Sequence, residues 1–193
     1  MPNFSPGSLD ELRTERLLLR RPTAADYDDM LRFHADPEVM ATLGGVRGEA
    51  VTDAYLREMI AHWDSQAFGY WMAHDSETGA FAGRAGLRLM VVAGQPEIEL
   101  GYGFLRDYWG RGLATEAAAA IVRVGFESVE TRDLVCFTET TNDRSRRVME
   151  KVGFRYEKDF VYADIPHRLC RLDVDRWRDG LGSSPPSAGS RQD

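Results

Sequence analysis

The sequence predicts a mixed α/β (α+β) domain, and residues 97–121 are the stretch that decides it. Apolar residues at the even positions of 97–104 alternate with glutamates and glycines at the odd positions, which is the period of a β-strand. A glycine turn at 110–112 follows, and then an alanine-rich segment with strong helix propensity. The predicted order along the chain is strand, two helices, three strands, helix, strand, helix, two strands. This order fits neither a doubly wound sheet nor an all-helical array.

Boundary residues define the elements of the first half. Pro22 ends the first strand, Thr23 is an N-cap for the helix that follows, and Asp36 with Pro37 breaks that helix. The predicted elements are a strand over 14–21, helices over 24–35 and 49–65, and a hairpin with strands over 68–74 and 80–92. The glycines of the loop at 42–48 suggest mobility.

The second half continues the sheet. Its predicted elements are strands over 97–104, 132–138, 154–162 and 168–174, the alanine-rich helix after Gly112, and a short helix over 143–152. Gly153 follows the predicted helix over 143–152, at the position where a residue in the left-handed conformation commonly ends a helix.

Length and composition indicate one domain. The chain has 193 residues, of which 43% are hydrophobic, enough for a real core. We expect a flexible arm over 1–9, the domain over 10–181 and, because Gly, Ser, Pro and Ala dominate there, a disordered tail over 182–193.

Charge and cysteine usage exclude several classes of function. A net charge of −7 argues against a general nucleic-acid binder, which would present a basic face. Cys136 and Cys170 lie far apart without histidine partners, so we expect buried reduced thiols and no metal site. No apolar run approaches membrane-spanning length and the N-terminus lacks a signal-peptide core. We therefore expect a cytoplasmic monomer or homodimer without a membrane or nucleic-acid partner.

The strand, glycine turn and helix of 97–121 together predict a phosphate-binding site. Unpaired N–H groups and the positive end of the helix dipole meet at the helix N-terminus, and glycine lets an anion approach the backbone closely. A P-loop would need a Lys-Ser/Thr pair after the glycines, and none follows. A dinucleotide fingerprint would need a third glycine where Thr115 stands.

The segment Gly110-Arg111-Gly112-Leu113-Ala114 resembles the pyrophosphate loop of the GNAT (GCN5-related) N-acyltransferases, and Trp109 before it is typical of their RimJ/RimL-like branch. Further segments resemble that branch in the same order, namely TERLxLR from Thr14, DPEV from Asp36, and NxxS from Asn142 with VMEKxGF from Val148. The resemblance covers residues 12–175. It implies the GNAT fold, a mixed and mostly antiparallel central sheet flanked by helices.

The resemblance also implies acetyl-CoA as donor, an amine as acceptor, and direct transfer without a covalent enzyme intermediate. Backbone groups of Phe104 and Leu105 would pair with the pantetheine arm, and the Phe104 N–H would polarise the thioester carbonyl. The other implied donor-binding residues are Trp109, Gly110, Arg111, Gly112, Leu113, Ala114, Thr115 and Asn142. Asn142 is also a helix N-cap in its own right. Among the nearby arginines, Arg111 is the best candidate to neutralise a CoA phosphate.

Glu99 is the candidate general base. The chemistry needs a neutral amine, and a carboxylate facing the cleft can take the proton directly or through water. Similar enzymes have a glutamate in this strand, and Glu99 is nearer the thioester end than Glu97. The competing interpretations are that Glu99 is a surface residue on the sheet, or that the proton leaves through water or Glu97.

Ser145 is the candidate acid for the leaving thiolate. Many relatives place a tyrosine seven positions beyond the asparagine, where this chain has Met149. Ser145 lies one helical turn earlier on the same face and is the substitute in similar sequences. Its competing role is a hydroxyl bonded to the helix backbone.

The resemblance favours a protein N-terminal α-amine as acceptor. Two alternatives stay open: a small-molecule amine such as an antibiotic, a polyamine or an amino acid, and a non-catalytic CoA-binding regulatory domain. The absence of the usual tyrosine at Met149 keeps the second alternative open.

Overall fold

The computed structural model describes residues 9–182 and contains one eight-stranded sheet, ordered β1-β2-β3-β4-β5-β6-β8-β7. The strands are β1 (Glu11–Arg13), β2 (Leu17–Arg20), β3 (Tyr70–Asp75), β4 (Phe81–Val92), β5 (Gln95–Phe104), β6 (Asp133–Glu139), β7 (Arg155–Tyr162) and β8 (Ile165–Asp173). The helices are α1 (Tyr27–Ala35), α2 (Pro37–Met40), α3 (Glu49–Gln66), α4 (Leu113–Glu127), α5 (Asp143–Lys151) and α6 (Val174–Gly182). The predicted mixed, mostly antiparallel sheet flanked by helices is confirmed.

One strand pair of the sheet differs from the rest. All neighbouring strands run antiparallel except β5 and β6, which are parallel and pair at Glu99 opposite Val135. Parallel neighbours send their carboxyl ends to the same edge. The segments that follow β5 and β6 therefore meet at one edge of the sheet.

The alternation of β5 divides the core into two layers. Leu100 and Phe104 point into the larger apolar cluster, which α4 completes with Ala117 and Ile121. Gly101 and Gly103 face the opposite side, where α1 to α3 and Tyr70 form a second cluster. The period-2 prediction for 97–104 is confirmed.

The prediction of a single strand over 14–21 is wrong. Residues 14–16 form the turn of a hairpin between β1 and β2. Thr14 donates its N–H to the Leu17 carbonyl at 2.9 Å, which closes a tight turn between β1 and β2. Leu12 then pairs with Leu19 across the hairpin, and both are buried.

The C-terminal helix α6 is a second departure from the predicted elements. The Asp173 carboxylate accepts the Arg176 N–H at 2.8 Å at the first turn. Trp177 then packs its ring 5.1 Å from that of Phe126, which attaches α6 to α4. The partly buried side chains of Val174 and Trp177 pack this helix on the core.

The ends of the chain test the predicted boundaries only in part. The predicted arm and tail lie outside the described residues over 1–8 and 183–193. Leu9 belongs to the domain, since its carbonyl accepts from Trp71 Nε1 at 2.8 Å, and Gly182 belongs to α6. Within 9–182, no helix is both long and apolar enough to span a bilayer.

Candidate active site

The cleft, as we call it, is the place where β5 and β6 stop pairing, beyond Glu99 and Val135. Their parallel contact is limited to Glu99 and Val135, and β5 continues for five residues to Phe104. The N-termini of α4 and α5 follow at the same edge, at Leu113 and Asp143. Backbone donors and two helix dipoles thus border one opening in the sheet.

The amide of Phe104 points into this cleft. Leu105 donates its N–H to Ala82 on the β4 side at 2.8 Å, and backbone groups alternate sides along a strand. Phe104 therefore directs its own N–H away from β4 and toward the opening beside β6. This is the orientation that an oxyanion donor requires.

The backbone groups of Leu105, for which a contact with the pantetheine arm is predicted, both have hydrogen-bond partners within the protein. Its N–H is used by Ala82, and its carbonyl accepts from Tyr108 at 3.0 Å. Both backbone groups are engaged inside the protein because Leu105 begins a 3-10 turn over Arg106–Tyr108. Sequence spacing alone does not reveal this turn.

The glycine loop has the backbone shape expected of a phosphate cradle. Gly110 and Gly112 have φ of +73° and +80°, and a Cβ built on Gly110 would meet nothing within 4 Å. Gly112 is the N-cap of α4, so the amides of Leu113 and Ala114 precede the helical hydrogen bonds. Thr115 is different, since its N–H donates to the Gly112 carbonyl at 3.1 Å. Its backbone amide is committed to the cap, which leaves its side chain for any ligand contact.

Trp109 and two arginines surround this loop. Trp109 Nε1 donates to the Phe104 carbonyl at 2.8 Å, and the Arg144 guanidinium lies 4.9 Å from the Trp109 ring centroid. Arg111 lies over the Tyr108 ring at 5.4 Å and 3.8 Å from the Asp75 carboxylate. The Trp109 indole therefore binds the end of β5 at the Phe104 carbonyl, beside the exposed guanidinium groups of Arg111 and Arg144.

Arg16, in the turn between β1 and β2, contacts the glycine loop, which the sequence analysis did not predict. Its Nη1 donates to the Arg111 carbonyl at 2.8 Å, and its Nη2 lies 3.6 Å from the Cβ position of Gly112. Glu116 holds it, accepting from Arg16 Nε at 2.7 Å, from the Arg16 N–H at 2.8 Å and from Thr14 Oγ1 at 2.6 Å. Burial raises the pKa of Glu116, but these hydrogen bonds outweigh it and leave the pKa below its ordinary value. The N-terminal hairpin thereby places a guanidinium beside the glycine loop.

Asn142 joins the two sides of the cleft. Its Oδ1 accepts the Ser145 N–H at 3.1 Å, so the predicted N-cap is confirmed. Its Nδ2 donates to Thr42 Oγ1 at 3.1 Å, in the segment between α2 and α3. The N-terminus of α5 is therefore attached to the loop that covers the other face of the sheet.

Glu99 is buried, with 5% of its surface exposed, so the surface-residue interpretation is wrong. Arg88 Nε donates to Glu99 Oε2 at 2.6 Å, and the Tyr70 hydroxyl donates to the same oxygen at 3.2 Å. Burial and the neighbouring Glu99 raise the pKa of Tyr70, which keeps the phenol protonated as a donor. Within residues 9–182, Oε1 accepts no hydrogen bond, so a water or an amine can bind there.

Glu97 is in a different environment. Its two oxygens accept from Arg171 on β8 at 2.7 and 3.1 Å, which is a bidentate pair. Arg171 also binds Glu157 at 2.5 Å. Glu97 thus belongs to an ion-pair network that ties β5 to β8, and Glu99 is the carboxylate nearer to Phe104.

The Ser145 hydroxyl contacts another side chain instead of the helix backbone. Its Oγ lies 2.9 Å from the Tyr102 hydroxyl, which also donates to the Ser145 carbonyl at 3.2 Å. Burial raises the pKa of Tyr102 well above its ordinary value. Met149 is buried in the core with 1% of its surface exposed. The structure therefore places a phenol beside Ser145 from β5, although α5 has no tyrosine.

The sequence profile of the Acetyltransferase (GNAT) domain matches residues 16–155. The chain belongs to the GNAT acetyltransferase family. Among its relatives is the uncharacterized N-acetyltransferase YnaD of Bacillus subtilis (strain 168), 36% identical over 150 residues that cover 77% of this chain and 85% of the relative.

Solved structures place this GNAT acetyltransferase among others of the same fold. An acetyltransferase from Agrobacterium tumefaciens str. C58 superposes with a TM-score of 0.76 at 28% identity, covering 88% of this chain and 98% of the other. A ribosomal-protein-S5-alanine acetyltransferase from Vibrio fischeri gives 0.72 at 15% identity, covering 86% and 98%. The latter likeness concerns the fold alone.

Three side chains of the site escaped the sequence analysis because they lie on other strands. Tyr70, Arg84 and Arg88 come from β3 and β4, and the register brings them to the face of Glu99. One signal was present, since Arg84 and Arg88 occupy period-2 positions with Gly86 in an otherwise apolar strand. Two arginines on one face of a buried strand indicate either an ion pair or a ligand.

Proposed function

We propose that this acetyltransferase transfers the acetyl group of acetyl-CoA directly to a primary amine, with the α-amine of a protein N-terminus as the favoured acceptor. The observation that best supports this is the convergence of three groups on one cleft: the outward amide of Phe104, the glycine loop at 110–114 and the buried carboxylate of Glu99. Donor loop, oxyanion donor and base are what a direct acyl transfer requires.

The donor is held by the loop and its neighbours. The amides at the start of α4 accept the pyrophosphate, while Arg16 and Arg111 supply positive charge beside it. Trp109 packs along the arm, and the Asn142 amide bonds to pantetheine. The thioester then lies at the end of β5 with its carbonyl oxygen toward the Phe104 N–H.

Transfer proceeds in three steps. The ammonium form of the acceptor loses a proton through water to Glu99 Oε1, while Arg88 and Tyr70 bind Oε2, and this leaves the neutral amine. The amine nitrogen then forms a bond to the thioester carbon, and the Phe104 N–H stabilises the oxyanion. Collapse breaks the C–S bond, the new amide nitrogen releases its second proton to water, and the thiolate takes a proton from the Ser145 hydroxyl, which solvent water then restores. The Tyr102 hydroxyl, 2.9 Å from Ser145 Oγ, holds the serine in place.

The acceptor enters on the face of Gly101 and Gly103. This face is bordered by α1, α3 and the segment at 41–48. A structure of the same fold is named a ribosomal-protein-S5-alanine acetyltransferase, so this fold can serve an enzyme with a protein acceptor. A small-molecule amine is the second candidate, and two buried N–H groups of Arg84 without a hydrogen bond within residues 9–182 favour it, since they can bind a polar group of such a molecule.

Release of CoA thiol tests the proposal. Peptides with a free N-terminus are compared with the same peptides blocked by N-formylation, and small amines are run in parallel. We expect release that requires the free amine and is saturable in both substrates. Tight acetyl-CoA binding without amine-dependent release would instead identify a non-catalytic CoA-binding domain.

A further inference from the structure

Unsatisfied polar atoms gather at one place on the acceptor face. Within residues 9–182, six buried side-chain polar atoms have no hydrogen-bond partner, and four of them belong to His34, Tyr55 and Arg84. They are His34 Nε2, Tyr55 Oη, Arg84 Nε and Arg84 Nη1. Buried polar groups are ordinarily paired, so such a concentration indicates a missing polar partner.

The ring of Tyr55 lies at the centre of this cluster, between His34 and Arg84. His34 lies 5.0 Å from the Tyr55 ring centroid, and the Arg84 guanidinium lies 5.3 Å from it. The Arg47 guanidinium lies 5.1 Å from the same ring. The unpartnered atoms are therefore neighbours, and two cations flank them.

Positive charge at this cluster exceeds the negative charge available. Arg47, Arg84 and Arg88 lie close enough that their charges interact, and Glu99 is paired to Arg88. Within the described part of the chain, neither Arg47 nor Arg84 has a carboxylate within 4.0 Å. Burial lowers the pKa of Arg47, and the charges of Arg84 and Arg88 lower it further. An anion bound here would relieve both the repulsion and the missing hydrogen bonds.

The cluster lies beside the predicted reaction centre. Arg84 pairs with Gly103 in the register of β4 and β5, one residue before Phe104. The Tyr70 ring faces the Arg84 guanidinium at 4.5 Å, while its hydroxyl donates to Glu99 at 3.2 Å. Tyr70 thus lies between Arg84, whose Nε and Nη1 lack hydrogen bonds, and Glu99, the predicted base.

The segment at 41–48 covers the cluster. Leu43 Cδ1 lies 3.0 Å from the Cβ position of Gly103, and Arg47 Nη2 donates to the Leu43 carbonyl at 3.1 Å. The Arg47 N–H donates to the His34 carbonyl at 2.9 Å. Gly44 and Gly45 in this segment are exposed and have positive φ. Entry of a ligand therefore requires this segment to move.

We propose that Arg84, together with Tyr55 and Arg47, binds a carboxylate of the acceptor, so that the acceptor class is an amine that also has a carboxylate. This inference rests on the proposed function, because it places the carboxylate on the substrate whose amine reaches Glu99. A free amino acid supplies both groups in one molecule. An acidic first residue of a protein supplies the same chemistry.

The donors match a carboxylate better than a neutral or cationic group. Arg84 offers two unpartnered N–H groups and Tyr55 a hydroxyl, and charge-assisted bonds to a carboxylate are the strong ones. Burial, then Arg47 and Arg84, lower the pKa of His34 to about 3, so its ring is neutral and can donate from Nε2. A cationic polyamine would meet repulsion here.

The test compares acceptors that differ only in the carboxylate. CoA thiol release is measured for amino acids against their α-carboxamides, and for peptides beginning with Asp against peptides beginning with Asn. The rates are compared at equal concentration of neutral amine, because the amide and the acid differ in amine pKa. We expect kcat/KM for the carboxylate to be roughly 10- to 100-fold higher, as for a hydrogen bond to a charged group. The series with the larger ratio identifies the source of the carboxylate.

Arg84→Gln provides the second arm. It should lower the ratio of kcat/KM for the acids to kcat/KM for their amides roughly 10- to 100-fold. Arg168→Gln is the control, since Arg168 also has a buried Nε without a hydrogen bond and lies over a tyrosine ring, that of Tyr156, at 4.9 Å, although its Nε lies 3.9 Å from the Asp159 carboxylate. It lies on β8, so it should leave the preference unchanged. Arg84→Lys should restore part of the preference.

The outcomes separate this inference from the proposed function. Equal rates for acids and amides in the wild type, or an unchanged preference in Arg84→Gln, would show that these atoms hold only ordered water. Absence of release with every amine would overturn the proposed function instead. In that case, calorimetry with an N-acetylamino acid and its carboxamide decides the anion site, and equal affinities would overturn it.

Discussion

Arg88 and Glu99 stand directly opposite each other in β4 and β5, and an ion pair of 2.6 Å joins them inside the protein. Glu99 lies in the middle of β5, is 5% exposed and is held by Oε2, while its Oε1 accepts no hydrogen bond from residues 9–182. Fixed geometry matters for a base because proton transfer requires hydrogen-bond reach. The pair therefore makes Glu99 a testable residue.

Glu99→Gln should lower turnover at neutral pH about 10²-fold or more if Glu99 is the base, since glutamine keeps the shape and cannot take a proton. Raising the pH should recover much of the rate, because hydroxide and the titration of the amine replace the base. Acetyl-CoA affinity should stay nearly unchanged. The measurement is a pH–rate profile of both proteins with calorimetry of the donor.

Glu97→Gln is the control for that experiment, because Glu97 binds Arg171 at the far end of the same strand face. It should leave the shape of the pH profile intact. Parallel profiles for wild type and Glu99→Gln, offset by less than about threefold, would remove Glu99 as the base. The proton would then leave through water.

Gly112→Val should abolish measurable acetyl-CoA binding while the fold survives. Valine at a φ of +80° is strained, and its branched side chain would stand where the phosphate approaches. Gly94→Val is the matched control, with a φ of +83° in the turn between β4 and β5 and nothing within 4 Å. Calorimetric titration compares the two. Unchanged donor affinity in Gly112→Val would contradict the loop assignment.

Ser145→Ala should reduce turnover roughly tenfold or less, because a CoA thiolate is a tolerable leaving group and an acid adds little. Tyr102→Phe should have a similar small effect, since the two hydroxyls lie 2.9 Å apart. In the double variant the losses should not add, as expected for residues of one network. A loss of three orders of magnitude in Ser145→Ala, with donor binding intact, would show that the acid is essential.

Acidification should destabilise the fold through His34. Its folded pKa is about 3, whereas the unfolded ring titrates near 6.5, so the unfolded state binds the proton first as pH falls. The stability that this group supplies is complete above pH 6.5 and is lost between about 6.5 and 3, by about 1.4 kcal/mol per pH unit. Urea unfolding of wild type and His34→Gln across this range measures it. Equal pH slopes would contradict the prediction.

The strands and helices around the cleft were predictable because each has a local signature. The alternation of 97–104 and the Asn142 cap depend on neighbours in sequence, and both are found. The hairpin before Arg20 was missed because its turn depends on hydrogen bonds between Thr14 and Leu17, and α6 because it depends on Trp177 packing on Phe126. Tertiary contacts decide such elements.

The acceptor side was not predictable from local pattern. Arg84 meets Tyr70 from the neighbouring strand and Tyr55 from α3, so their proximity depends on sheet register and helix placement together. The donor loop is different, because one short segment supplies most of its groups. The sequence therefore indicates the donor, while the acceptor's chemistry is visible only after assembly.

The contact of Glu116 with Thr14 and Arg16 has a consequence for folding. It joins positions 100 to 102 residues apart, so its formation must overcome the entropy of closing a long loop. The first turn of α4 has this support only once the N-terminal hairpin has docked. Acetyl-CoA would then bind the assembled chain in preference to partly folded species. Its stabilising effect should appear as a concentration-dependent rise in the global unfolding temperature.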